Sequence, residues 1–169
     1  MRHIISILLQ NEAGALARVA GMFSARGYNI DSLSVAATHD PAVSRLTLVT
    51  GGSDEVIDQI VKQTRKLIDV VEITNLSKAD HLECELLMMK VEARNGIARQ
   101  VVDCVRLNRG QILDESENTR MVQFSGSGAE VDAFIAELSK VTQILELARS
   151  GVAALQRGHQ VLQISPVSP

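Results

Sequence analysis

Aromatic residues are scarce. Tryptophan is absent, and Tyr28 with Phe23, Phe124 and Phe134 makes up only 2% of the 169 residues. A core built from this chain must be aliphatic. Strands without rings also give nucleobases nothing to stack on. Cysteine is nearly missing. Cys84 and Cys104 stand in no C-x-x-C and near no histidine cluster, which argues for two free, buried thiols in a cytosolic chain and against a metal site. The four histidines, His3, His39, His81 and His159, are scattered and read as surface or strand-end residues. No basic block exists and the net charge is -3, so nucleic acid is not the expected partner. No apolar run reaches membrane-spanning length, and no signal-peptide pattern opens the sequence. A cytoplasmic chain away from the membrane is expected.

What is present is aliphatic residue in periodic order. Hydrophobic residues reach 46% against 22% charged, enough to bury a core in one medium domain or two small ones. Residues 4–9 read as a strand buried on both faces. Leu16, Val19, Ala20 and Phe23 then follow the i, i+3, i+4, i+7 rule, predicting a helix over 15–25 that Gly27 closes. Residues 28–37 and 44–50 read as a strand pair around the turn His39-Asp40-Pro41. Ser53 caps a second helix striped by Ile57, Ile60, Val61, Thr64 and Leu67. Residues 70–75 make a fourth strand. The order is β-α-β-β-α-β, one ferredoxin-like unit.

Ser77 to His81 is short and polar, and the domain boundary is placed there. The same order then repeats. An apolar stretch over 82–91 leads to the turn Arg94-Asn95-Gly96. A helix striped by Ile97, Val101, Val102 and Val105 follows, then short strands at 111–114 and 121–124. Ser127 opens a helix striped by Val131, Phe134, Ile135, Leu138 and Val141, and 143–149 returns as a strand. Val70-Val71-Glu72-Ile73 is echoed by Ile144-Leu145-Glu146-Leu147. The repeat reflects either common origin or one packing problem solved twice. Residues 151–158 read as a last helical turn and 164–169 as a frayed tail. The expected fold is therefore α+β, two tandem ferredoxin-like βαββαβ domains. They cover 1–77 and 78–160, with 161–169 as a flexible tail.

No catalytic constellation is visible. Ser127 lacks the full G-x-S-x-G pattern and reads as a helix cap. There is no Walker loop, and Gly51-Gly52 has no partner glycine at dinucleotide spacing. One turn does invite a ligand. Between the first strand and first helix stand Asn11, Glu12 and Gly14. The free N–H groups around Gly14, Ala15 and Leu16 suit a small carboxylate, and Asn11 can donate or accept. The plainer reading is a strand-to-helix connection that Gly14 eases. Asn29 and Asp31 open the second strand. Asn29 is either a second polar contact or a strand-start residue tolerating an awkward backbone angle. An aliphatic ligand side chain could lie against Leu9, Leu16, Ile30 or Leu33.

The run from Ile5 to Val19 (ISILLQNEAGALARV), followed by Phe23-Ser24-Ala25-Arg26-Gly27-Tyr28-Asn29-Ile30-Asp31-Ser32-Leu33, resembles the opening of the small regulatory subunits of acetolactate synthase (acetohydroxyacid synthase). That opening is an ACT domain, a module that binds amino acids. Leu87-Met88-Met89-Lys90-Val91 and the region 114–122 resemble the second domain of the same family. The resemblance implies a regulatory subunit with no catalytic site and no cofactor of its own. The partner is a large catalytic subunit that uses thiamine diphosphate, magnesium and FAD in branched-chain amino acid biosynthesis. The subunit activates that chain and confers feedback inhibition by valine. It implies a homodimer through the ACT domains, with valine held by Asn11, Gly14, Ala15 and Leu16 of one chain and Asn29 and Ile30 of the other. Two other readings stay open: a free-standing amino-acid sensor acting on another enzyme or a transcription factor, and an assembly subunit whose turn is unoccupied.

Overall fold

The computed structural model describes residues 1–94 and 96–163. Asn95, at the centre of the predicted 94–96 turn, and the tail read over 164–169 lie outside the described residues. The chain divides into two compact units. One comprises Met1–Leu82 with the described residues from Val152 onward, the other Glu83–Gly151.

In the first unit β1 (Arg2–Gln10), β2 (Ser32–Ala37), β3 (Val43–Gly51) and β4 (Val70–Asn75) form one sheet in the order β2-β3-β1-β4. All its pairings are antiparallel. Helices α1 (Ala15–Ala25) and α2 (Asp54–Thr64) cover one face. Ile5, Ile7, Leu9, Leu46, Leu48 and Ile73 meet Val19, Phe23, Ile57 and Ile60 there. Removing each such side chain from water stabilises the fold by about 1.5–3 kcal/mol. The other face of β1 and β3 is covered too. Ile4, Val49 and Leu76 pack with Val152 and Ala154 from late in the sequence. This second cover is why β1 is buried at seven consecutive positions, Ser6 among them.

In the second unit β5 (His81–Glu92), β6 (Gln111–Glu115), β7 (Thr119–Gly126) and β8 (Ile144–Gln156) take the order β6-β7-β5-β8. Helices α3 (Ala98–Leu107) and α4 (Gly128–Val141) close over Leu87, Met89, Val91 and Val122. Ser127 caps α4 in a reciprocal capping box with Glu130, which satisfies two orphan donors of the first turn. Arg149 forks both carboxylate oxygens of the buried Glu85 at 3.0 and 2.6 Å and reaches Asp132 at 2.7 Å. Those contacts hold the guanidinium in its charged form.

Two βαββαβ units are thus present as expected, with differences at particular residues. Residues 151–158 are not helical: β8 runs on to Gln156. Gly151 has φ 78° and turns the strand without ending it, so a glycine in a polar setting is a poor stop signal here. The stretch expected to form a helical turn is extended strand as far as Gln156. Residues 152–163, read as part of the second domain and its tail, sit with the first unit because Val152 and Ala154 complete its third cluster. Cys84 is exposed, on the outward side of β5 with Leu82 and Leu86, and Cys104 is half-buried. His3 is buried at 4% exposure, its Nε2 3.2 Å from Gly52 O. It lies inside β1, where both faces are covered.

Candidate functional site

The β1–α1 turn is built around one left-handed residue. Gly14 is the helix N-cap with φ 89° and ψ -11° and offers no side-chain cap. An L-residue in this region costs about 1–2 kcal/mol. Ala15 N–H donates to Glu12 O at 3.2 Å, and the intrahelical ladder begins with Arg18 N–H to Gly14 O at 2.9 Å. The N–H groups of Leu16 and Ala17 therefore have no helical carbonyl beneath them and carry the positive end of the helix. Leu16 is 37% exposed beside them.

Asn11 ties this turn to the β2–β3 hairpin. Its backbone N–H donates to Ala42 O at 2.8 Å and its Nδ2 to Pro41 O at 2.8 Å, while its Oδ1 accepts from Ser44 Oγ at 3.0 Å. It positions the turn and keeps spare hydrogen-bonding capacity at the surface.

Arg18 belongs to the site, and the sequence reading missed it. Its Nε and Nη2 grip the carboxylate of Asp69, the Nη2 contact measuring 2.7 Å. Its third nitrogen, Nη1, lies 2.9 Å from where a Cβ on Gly14 would stand. Asp69 is buried at 3% exposure, and its carbonyl accepts Gln10 N–H at 2.9 Å. One residue thus fastens both the strand and the helix that flank the turn. Hydrogen bonds from Arg18 hold the Asp69 carboxyl below the usual carboxylate range, and Asp69 raises Arg18 in return. A basic residue in a helix's first turn opposes the macrodipole, but nothing local in the sequence points to Asp69 as its partner.

Asn29 and Ile30 lie elsewhere. Asn29 O accepts from Thr50 Oγ1 at 2.5 Å, its Nδ2 donates to Asp31 Oδ1 at 2.5 Å, and its Oδ1 has no partner among the described residues. Ile30 is half-buried against the first core. Thr50 pairs with His3 at one end of β1, whereas Gln10, next to Asn11, pairs with Val43 at the other. Seven residue steps along β3 separate them, about 23 Å of extended strand. A single chain brings Asn11, Gly14, Ala15 and Leu16 together but leaves Asn29 and Ile30 at the far end of the sheet. Leu9 is buried in the core and not available to a ligand, unlike the partly exposed Leu16 and Leu33.

This turn on this sheet can be set against known proteins. Residues 5–72 match the family model of the AHAS small subunit-like ACT domain, and residues 84–158 that of the small subunit of acetolactate synthase. The chain belongs to the acetolactate synthase small-subunit family. It is 45% identical over 163 residues to the acetolactate synthase isozyme 3 small subunit of Salmonella typhimurium, covering 96% of this chain and 100% of the relative. It is 38% identical over 161 residues to a probable acetolactate synthase small subunit of Methanothermobacter thermautotrophicus, covering 95% of both. The crystal structure of the acetolactate synthase small subunit from Thermotoga maritima superposes with a TM-score of 0.85 at 33% identity, over 95% of this chain and 99% of that one. Residues 5–72, the main part of the first unit, are therefore the ACT domain of this small-subunit family. Among the described residues no cluster of three metal-ligating side chains occurs, and no helix is long and apolar enough to cross a membrane.

Proposed function

We propose that this chain is the valine-sensing regulatory subunit of an acetolactate synthase, working in the cytoplasm on a separate catalytic subunit that it activates. On this reading the chain has no catalytic site and no cofactor of its own. The thiamine diphosphate, magnesium and FAD belong to the catalytic subunit, where the first common step to the branched-chain amino acids is carried out.

The observation that carries the reading is the separation of the two polar groups along the sheet. β2 is an edge strand, and Leu33 and Val35 stay partly exposed on it. Two copies joined antiparallel along this edge would place the start of one β2 beside the end of the other. The end of β2 lies next to Ser44, which bonds Asn11. Asn29 and Ile30 of one copy would then approach Asn11 and Gly14 of its partner. The helix N–H groups of Leu16 and Ala17 suit the carboxylate of valine. The open Oδ1 of Asn29 suits its ammonium, and Leu16 and Leu33 its isopropyl group. One methylene is worth only about 1–3 kcal/mol, so leucine and isoleucine bind the same site more weakly. Feedback then follows if valine binds the less active arrangement of the paired domains better than the active one.

Isothermal titration of the full chain with valine, with leucine and alanine as controls, tests this directly, followed by the same titration on the reconstituted complex. Saturable binding strongest for valine is expected. Gly14→Asp would set a carboxylate where the ligand's own belongs. That variant is expected to abolish inhibition by valine while still activating the catalytic subunit. A normal valine response in Gly14→Asp would place the site elsewhere.

A further inference from the structure

We infer that the helix-free face of the first unit's sheet holds a second small-molecule site, centred on Arg45, for an organic monoanion with a short aliphatic tail. Arg45 stands on β3 opposite Leu8 of β1 and Ala36 of β2, on the side away from α1 and α2. Its guanidinium is half-buried and engages only neutral acceptors. Nη1 donates to Ser6 Oγ at 3.3 Å and Nη2 to the carbonyl of Leu162 at 3.3 Å. Among the described residues no carboxylate is within ion-pair reach of it. Burial alone acts on its protonation, pushing it down with no opposing anion. A desolvated cation held by long bonds to neutral oxygens has most of its electrostatic capacity unused.

Two half-open pockets beside it share Arg45, Leu155, Leu162 and Gln163, one of about 580 Å³ and one of about 410 Å³. Both fall in the range of small-molecule pockets, about 300–1,000 Å³. The smaller sets Arg45 against Leu8, Val43, Leu155 and Leu162, and Thr38, His39 and Asp40 of the hairpin line it too. A carboxylate can take the guanidinium fork while a chain of a few carbons lies on the leucines. The Asp40 carboxylate in the lining disfavours a multiply charged anion such as phosphate. This site is on a different face from the Gly14 turn and does not depend on valine binding there.

The test uses the full chain with labelled leucine and valine methyl groups, saturated with valine and titrated with butanoate. The neutral isostere 1-butanol serves as control. Saturable shifts of the Leu8, Val43, Leu155 and Leu162 methyls are expected with butanoate and not with 1-butanol. Arg45→Gln is expected to weaken the response ten-fold or more. Leu155→Trp, which fills the cavity and leaves Arg45 in place, is expected to do the same. No saturable shift up to tens of millimolar would overturn the proposal and leave Arg45 as a clamp on Leu162. So would an equal response to 1-butanol, or butanoate binding unchanged in either variant. These methyl signals report independently of the valine heat, so failure of one reading leaves the other standing.

Discussion

Asp69 concentrates three constraints in one buried residue: its carbonyl anchors the end of β1, its carboxylate grips Arg18, and through Arg18 it bounds the space over Gly14. Its depressed pKa has a signed consequence. A carboxyl that ionises more easily when folded contributes stability fully above its unfolded value, about 3.9, and loses it as pH falls through the lower folded value. The chain is therefore expected to lose urea stability below about pH 4. Asp69→Asn should be less stable than the parent at pH 7 and lose less on going to pH 3, and denaturation midpoints at the two pH values measure both. At Gly14 the strain is in the backbone more than in the space, because what a Cβ would meet is the far end of a flexible arginine. Any L-residue there should cost about 1–2 kcal/mol in stability, separately from the effect proposed above for valine. Asn11 and Gly14 could be named from the sequence because a turn between two periodic segments concentrates polar and glycine residues. Arg18 could not, because its meaning comes from Asp69, 51 positions away.

Elements with strong periodicity were legible almost to the residue. α1 spans Ala15–Ala25 as the stripe predicts, and the cap roles of Ser53 and Ser127 are as expected. β2 was less legible. It begins at Ser32, not at residue 28, because residues 28–31 form an irregular connection from α1 held by Asn29 O and Asp31 N–H. This edge strand carries the dimer proposal. Thr38 N–H bonds Val43 O inside the hairpin, so by antiparallel alternation the N–H groups of Leu33, Val35 and Ala37 face outward. Val35→Pro removes one outward donor and leaves the β2–β3 ladder intact. It is expected to keep the fold and shift the chain from dimer to monomer at micromolar concentration, with at least a ten-fold loss of valine affinity. Sedimentation velocity checks the first outcome and calorimetry the second. An unchanged dimer would mean that β2 is not the joining edge.

At the scale of the whole molecule, the two βαββαβ units were readable from element order alone. The crossing of β8 out of the second unit was not, because contacts between Val152 and Ile4 leave no local pattern in either segment. Val152→Ala removes two buried methyls and leaves a small void, a loss of about 2 kcal/mol. Amide exchange gives that number an address. Protection in β1 and β3 should fall about thirty-fold, while β5 and β7 keep theirs. Equal losses in both units would contradict the assignment of Val152 to the first.

That third cluster also sets a timetable. Ile4 and Val49 are translated early, yet Val152 and Ala154 that cover them come more than a hundred residues later. At about 5–20 residues per second, the first sheet waits several seconds on the ribosome with one apolar face uncovered. The second unit can be complete before the first one is. The nascent chain therefore passes through an obligatory interval in which its ACT half is sticky. Chaperone demand during synthesis should be greatest there.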